Sequence, residues 1–327
     1  MIFARLKELT PGALLCFFIG FVATFLGSQY GAPQMLFALL LGMALNFLSK
    51  SSTYQQGIEF SSKSILRIGV ALLGLRITFG DISTLSYEIL GWIAAGILLS
   101  LCVGTFLARS FGSNRVFGII SGGSVGICGA SAALAISSVL PSNRENEQAT
   151  IVTVVTVTTL STIAMILYPI VAHQLGFNDL QSGLFLGGTI HDVAQVVGAG
   201  YGMNTNTGDT ATIVKLFRVA LLVPVVMVLA LVITGRSETP SGTVTFPYFL
   251  IVFCCFVTVN SLGIIPLKLI QITNIISSTF LVTAIAALGV KTSLQEIARY
   301  GLQSVALIIV ETILLAAWVI GGIHWIV

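Results

Sequence analysis

The sequence predicts an all-α polytopic membrane protein with about eleven transmembrane helices, inverted repeats and broken core helices. Three observations predict it. Of 327 residues, 56% are hydrophobic and only 8% are charged, against about 25% charged in a soluble domain. A segment near the start of the chain has an echo near its end. Two stretches, "SGGSVGICGASAALAISS" from Ser121 and "GGTIHDVAQVVGAG" from Gly187, are dense in glycine inside apolar surroundings.

Hydropathy places the spans at roughly 11–27, 33–49, 62–79, 86–108, 115–140, 149–172, 181–200, 208–234, 246–262, 271–289 and 302–326. Crossing hydrocarbon takes about 20 apolar residues. The first span follows Arg5 and Lys7 and resembles a signal peptide, but no A-x-A cleavage site follows Leu26, so it reads as a transmembrane helix. Positive residues fall on alternate loops. With the N-terminus inside, the inner loops hold Arg5, Lys7, Lys50, Lys63, Arg109, Arg115, Arg236, Lys291 and Arg299, and the outer loops hold only Arg76, Arg144 and Lys268. The asymmetry predicts a cytoplasmic N-terminus and a periplasmic C-terminus. Arg67, Lys215 and Arg218 lie within or beside spans.

The echo runs from "ALLGLRITFGDI" to "AAALGVKTSLQEI". It matches Leu73, Gly74, Arg76, Thr78, Asp81 and Ile82 with Leu288, Gly289, Lys291, Ser293, Glu296 and Ile297. Upstream, Pro33 and Asn46 have the same spacing as Pro247 and Asn260. An odd number of spans separates the copies, so the repeat is inverted, as in many secondary transporters. One transmembrane domain then covers 1–327, with repeat halves at about 11–110 and 224–327 and intervening core helices at 115–200.

Glycine weakens a helix by about 1 kcal/mol relative to alanine. Helix breaks are therefore expected at Gly122 and Gly123 and at Gly187 and Gly188. Irregular backbone at membrane depth is tolerated where it lines a cavity or is buried in protein. On a continuous helix, Ser124, Cys128 and Ser131 share a polar face, joined by Ser138, and His191 shares a face with Gln195. A carboxylate at membrane depth is expensive, which makes Asp192 beside His191 the candidate ion- or proton-coupling pair. Lys215 and Arg218 sit one helical turn apart in "TIVKLFRVALL", and Arg218 is the expected partner of Asp192 or of an anionic substrate. Glu311 is the one acid of the last span and a weaker candidate. The threonine-rich run after Ala149 is expected to pack against neighbours, its hydroxyls bonding their own backbone.

"GGSVGICGASA", "GGTIHDVAQVVGAG" and "KLFRVALLVP" resemble a bacterial family of conserved hypothetical membrane proteins labelled sulfate exporters. That family is grouped within the cation/proton antiporter and anion transporter superfamily. The resemblance spans essentially the whole chain. It implies a fold like sodium/proton antiporters and bile-acid symporters, with crossed broken helices and elevator-like access. It implies roles for Gly122, Gly123, Ser124, Gly126, Gly129, Ser131, His191, Asp192, Gln195, Lys215 and Arg218. Sodium/proton antiporters of that fold pair their acid with a second acid or an asparagine, whereas Asp192 follows a histidine.

The combined expectation is a proton-coupled secondary transporter of a small anion, of the sulfate or organic sulfonate class, in the bacterial cytoplasmic membrane. Ser124, Gly126, Cys128, Gly129, Ser131, Gln195, Lys215 and Arg218 would bind substrate, and His191 and Asp192 would couple a proton or sodium. Partners are the anion, the coupling ion and the bilayer, with a homodimer admitted. No cofactor, metal or nucleic acid is expected, since the five cysteines have no zinc-type spacing and no basic tail is present. The alternatives are a cation/proton antiporter using Asp192, a channel, or an intramembrane hydrolase. The chain is expected not to be an enzyme, because it lacks an H-E-x-x-H motif and has only three histidines.

Overall fold

The computed structural model describes residues 2–31, 33–83, 85–140, 143–234, 248–292 and 302–327, apart from the side chains of 2–7, 233, 234 and 302. Pro247, Ser293, Glu296 and Ile297 of the echo lie outside the described residues. So do Arg236 and Arg299 of the charge count, and the side chains of Arg5 and Lys7.

Among the described residues the chain is helical and has no strand. In order the helices are α1 (Ile2–Tyr30), α2 (Gln34–Ala44), α3 (Ser52–Phe60), α4 (Leu66–Leu73), α5 (Phe79–Ser83), α6 (Tyr87–Leu107), α7 (Arg115–Gly126) and α8 (Ala130–Ser137). They continue with α9 (Arg144–Gln174), α10 (Asp179–Thr189), α11 (Val193–Met203), α12 (Thr205–Ala220), α13 (Leu222–Thr234), α14 (Tyr248–Ser261), α15 (Leu267–Lys291) and α16 (Leu302–Ile326). Side-chain caps set several starts. Ser86 accepts from the Ile89 N–H, Asn114 from Phe117, Asn143 from Asn146, and Asn178 forms a capping box with Gln181.

Among the described residues, six helical stretches are long and apolar enough to cross a membrane: Glu8–Tyr30, Tyr87–Phe111, Arg144–Gln174, Thr205–Val232 (α12 with α13), Leu267–Lys291 and Gln303–Ile326. The other expected spans take different forms. The stretches at 33–49 and 246–262 hold the shorter apolar helices α2 and α14. The stretch at 62–79 holds a π-helical turn followed by α4. The stretches at 115–140 and 181–200 are each two helices separated by a non-helical step. Large apolar side chains stay uncovered on the long helices, including Phe18, Phe21 and Phe25 on α1, Phe106 on α6 and Leu231 on α13. Soluble monomers rarely expose apolar surface so extensively. The chain is a multi-pass membrane protein.

The chain forms two compact units. One comprises Met1–Thr84, Val197–Asp209 and Pro247–Ser293, and the other Leu85–Val196, Thr210–Phe246 and Leu294–Val327. In the first unit, α2 and α15 pack backbone to backbone. A Cβ on Gly42 would stand 2.3 Å from the Ala286 carbonyl oxygen, and one on Gly289 would stand 2.3 Å from that of Leu39. Asn46 donates its amide to the Val290 carbonyl at 2.7 Å, and Asn260 donates to the Ile77 carbonyl at 3.1 Å. Arg76 donates to Asp209 at 3.2 Å, and the Tyr201 hydroxyl donates to the other oxygen of Asp209 at 2.6 Å.

In the second unit, α6 crosses α7 through small residues. A Cβ on Gly118 would meet the Gly104 carbonyl oxygen at 2.1 Å, and one on Gly122 would meet that of Ser100 at 2.3 Å. Such contacts let helix backbones approach closely in a membrane. Helix α6 also pairs with α16. Trp92 and Trp318 stack with ring centres 4.1 Å apart, and each indole N–H donates to the other's backbone carbonyl.

Candidate functional site

The candidate site is built around the breaks of two helices, and the residues at both breaks belong to the second unit. Helix α7 ends at Gly126 and α8 begins at Ala130. At this first break Gly129 takes φ 64° and ψ −127°, a conformation essentially reserved for glycine. Helix α10 ends at Thr189, and Ile190 is extended at φ −61°, ψ 135°. Helix α11 begins at Val193, so His191 and Asp192 form the second break.

Both breaks come later than the glycines suggest. Gly122 and Gly123 lie inside α7, and Gly187 and Gly188 lie inside α10. These glycines serve close packing. A Cβ on Gly123 would meet the Ile136 side chain at 2.2 Å, and one on Gly187 would meet the Ala211 carbonyl oxygen at 2.5 Å. The breaks also divide the expected polar faces. Ser124 precedes the first break, whereas Ser131 and Ser138 follow it. Ser124 and Ser138 donate to the carbonyls of Ile120 and Ala135, and Ser131 donates to the Cys128 carbonyl and sulfur. These hydroxyls already bond locally. His191 is not helical, so the face expected to join it to Gln195 does not form.

Each helix that stops leaves carbonyls without intrahelical partners, and in a dry interior an unpaired carbonyl is costly. Lys215 and Arg218, both on α12 and both buried, meet that need. Lys215 Nζ donates to the carbonyls of Ile127 at 2.8 Å, Ile190 at 2.9 Å and His191. An ammonium carries three hydrogens, one for each of these carbonyls. Arg218 Nε donates to Gly126 O at 2.9 Å. Its Nη1 reaches Gly187 O at 3.0 Å and Ile190 O at 3.4 Å, and its Nη2 reaches Val125 O at 2.8 Å and Gly126 O at 2.7 Å. A guanidinium carries five N–H donors in a fixed fork, enough for this set. The expected contact of Arg218 with Asp192 is thus displaced by carbonyls from both breaks.

Asp192 occupies the start of α11. Its carbonyl accepts the Val196 N–H at 3.1 Å, and its own N–H donates to Ser161 Oγ at 3.1 Å. A negative charge there is favoured by the helix dipole by about 0.3–1 kcal/mol. His191 is fully buried. Its Nδ1 faces the Val125 carbonyl at 3.3 Å and its Nε2 faces Thr312 Oγ1 at 3.0 Å. A carbonyl only accepts, so the proton sits on Nδ1. Thr312 also reaches the Ile308 carbonyl at 2.8 Å. With one hydrogen, that hydroxyl either donates to a neutral His191 or donates to Ile308 and accepts from an imidazolium. Gln195 donates weakly to Thr162 at 3.4 Å, and its buried Oε1 has no partner among the described residues.

The sequence reading missed Ser161, Thr312 and the carbonyls of Val125, Ile127 and Ile190. Carbonyls leave no trace in residue identity. Ser161 belongs to the threonine-rich run, where Thr159 and Thr162 do bond their own helix at Val155 and Thr158.

These features define a polytopic membrane protein with two broken helices pinned by one helix's paired cations. The chain belongs to the family Conserved hypothetical protein 698, whose model matches residues 11–308. It is 49% identical over 326 residues to a UPF0324 membrane protein of Chlorobaculum tepidum, covering 98% of this chain and 91% of that one. It is 44% identical to the UPF0324 membrane protein TauZ of Paracoccus pantotrophus, covering 98% and 96%. A UPF0324 membrane protein of Clostridium perfringens is 31% identical, over 92% and 91%. No solved structure matches the chain.

Proposed function

We propose that this protein is a proton-coupled secondary transporter of a small anion, of the sulfate or organic sulfonate class, working by elevator-like alternating access. The observation that carries this is the charge balance at the two breaks. Each helix end contributes about half an elementary charge, negative at a C-terminus and positive at an N-terminus. The C-termini of α7 and α10 and the N-termini of α8 and α11 therefore roughly cancel. Lys215 and Arg218 add two positive charges and Asp192 removes one, leaving about one positive charge in a largely water-free region. An anion is the ligand that such a region favours.

The two compact units of the chain support the mode of access. The bonds from Asn46 to Val290 and from Asn260 to Ile77 support an inverted repeat, because each copy's asparagine binds a carbonyl near the other copy's echo. In this reading the protein sits in the bacterial cytoplasmic membrane with the N-terminus inside and the C-terminus outside, and Asp192 and His191 lie on the transport path. Reporter fusions after Val327 test the orientation, and a cytoplasmic signal contradicts it.

Purified protein in liposomes tests the function. Accumulation of labelled sulfate or an alkyl sulfonate, driven by a proton gradient and collapsed by an ionophore, is the expected result. Sodium or potassium exchange for protons without anion movement would make Asp192 the carrier of a cation antiporter. Flux that never exceeds equilibrium would indicate a channel.

A further inference from the structure

A buried acid lies in the same unit, away from the paired cations. Glu311 on α16 is 1% exposed. Its Oε1 accepts from the Ser121 hydroxyl at 2.7 Å, and its Oε2 is enclosed with no partner among the described residues. No basic side chain of the described residues pairs with it. The carboxyl rests where α6 and α7 cross. A Cβ on Gly104 would stand 2.6 Å from Oε1 and 2.3 Å from the Gly118 carbonyl oxygen, so only glycine leaves room for the acid.

We propose that Glu311 is a proton-binding site of this transporter, protonated while enclosed as here and ionised when water reaches Oε2. The proposal rests on the transport reading given above. A carboxylate without a cation or a full set of donors is the costlier form in a dry interior. An acid O–H needs only one acceptor or a drop of water when the site opens. Sodium fits poorly, since hard cations collect several oxygens and Glu311 has only the Ser121 hydroxyl. The charged groups of the packed elements lie at helix ends: Glu88 on α6, Arg109 after it, Arg115 on α7, Asp179 on α10, and Arg144, Glu145, Glu147 and His173 on α9. At this level His191 faces α16, its Nε2 held 3.0 Å from Oγ1 of Thr312, the next residue after Glu311.

The test is infrared spectroscopy of the full-length protein in liposomes at neutral pH, with glutamate labelled with 13C at the side-chain carboxyl. The wild type should show a carboxylic-acid C=O band that Glu311→Gln removes. Ser121→Ala, which keeps the acid and deletes its donor, should move the band to higher frequency. In transport, Glu311→Gln should lose gradient-driven accumulation but keep anion-for-anion exchange. Absence of the band, or its loss on adding sodium, overturns the proposal. Gradient-driven accumulation that persists in Glu311→Gln overturns the coupling role. If the band behaves as expected but the wild type moves no anion, the proton site stands and the transport reading falls.

Discussion

The two breaks reach a similar end by different local means. At the first, the chain turns through Gly129 at φ 64°, whose N–H reaches back to the Ser124 carbonyl at 2.8 Å. At the second, no residue has positive φ. Ile190 simply extends, and the polar pair His191 and Asp192 follows. The first break thus depends on an amino acid that tolerates a rare conformation. The second depends on partners for what it exposes: Ser161, Val125, Thr312 and the cations of α12. What they share is the cation pair of α12: Arg218 binds Gly126 on one side and Gly187 on the other, and Lys215 binds Ile127 and Ile190.

The largest expected effect follows from that sharing. Arg218→Ala removes every donor of one buried cation from both breaks and should destabilise the protein by about 3–5 kcal/mol, with loss of transport. Arg218→Lys should recover only part of it, because one ammonium replaces a fork that serves four carbonyl oxygens. Thermal unfolding in detergent and uptake in liposomes measure both. An alanine variant as stable as wild type would mean that water or Lys215 can serve these carbonyls without Arg218.

Gly129→Ala separates the two breaks. A Cβ there would sit 3.5 Å from His191 Cβ, an ordinary contact, so the penalty is conformational, about 1–3 kcal/mol. Ile190→Ala at the second break has no such penalty and loses side-chain burial alone. A Gly129→Ala variant with wild-type stability would show that the first break needs no glycine geometry.

These substitutions bear on how much was legible in the sequence. The membrane class and the existence of two interrupted helices were readable, because charge scarcity and glycine density have direct physical meaning. The positions were not. Glycine in a helix serves either a break or a close approach, and Gly122 and Gly187 do the latter against Ser100 and Ala211. Residue identity does not tell these uses apart. Lys215 and Arg218 were legible as buried charges at helical spacing, but their acceptors were not. The sequence reading gave Arg218 a side chain or a substrate as partner, and its partners here are carbonyls.

A smaller effect is expected at Thr312. Thr312→Val keeps the shape and removes the hydroxyl facing His191 Nε2, costing about 1 kcal/mol. It should also alter the pH dependence of transport if His191 exchanges a proton through that contact. His191→Gln removes the ring itself and should change that dependence as well. A wild-type pH profile in His191→Gln would leave the residue a purely structural part of the second break. The smallest effect belongs far from either break. Lys63 and Glu59 pair at 2.6 Å with both side chains about half exposed, at 59% and 51%, and Lys63→Ala should cost about 0.3–0.5 kcal/mol.

The central claim is that the paired cations leave a surplus positive charge at the breaks, which an anion neutralises. Equilibrium binding of labelled sulfate to the purified protein, wild type against Asp192→Asn, tests it most directly. Removing the one acid while keeping its shape should raise the surplus and tighten sulfate binding several-fold, even though transport is impaired. Weaker sulfate binding in Asp192→Asn, or binding of a monovalent cation that Asp192→Asn abolishes, would contradict it.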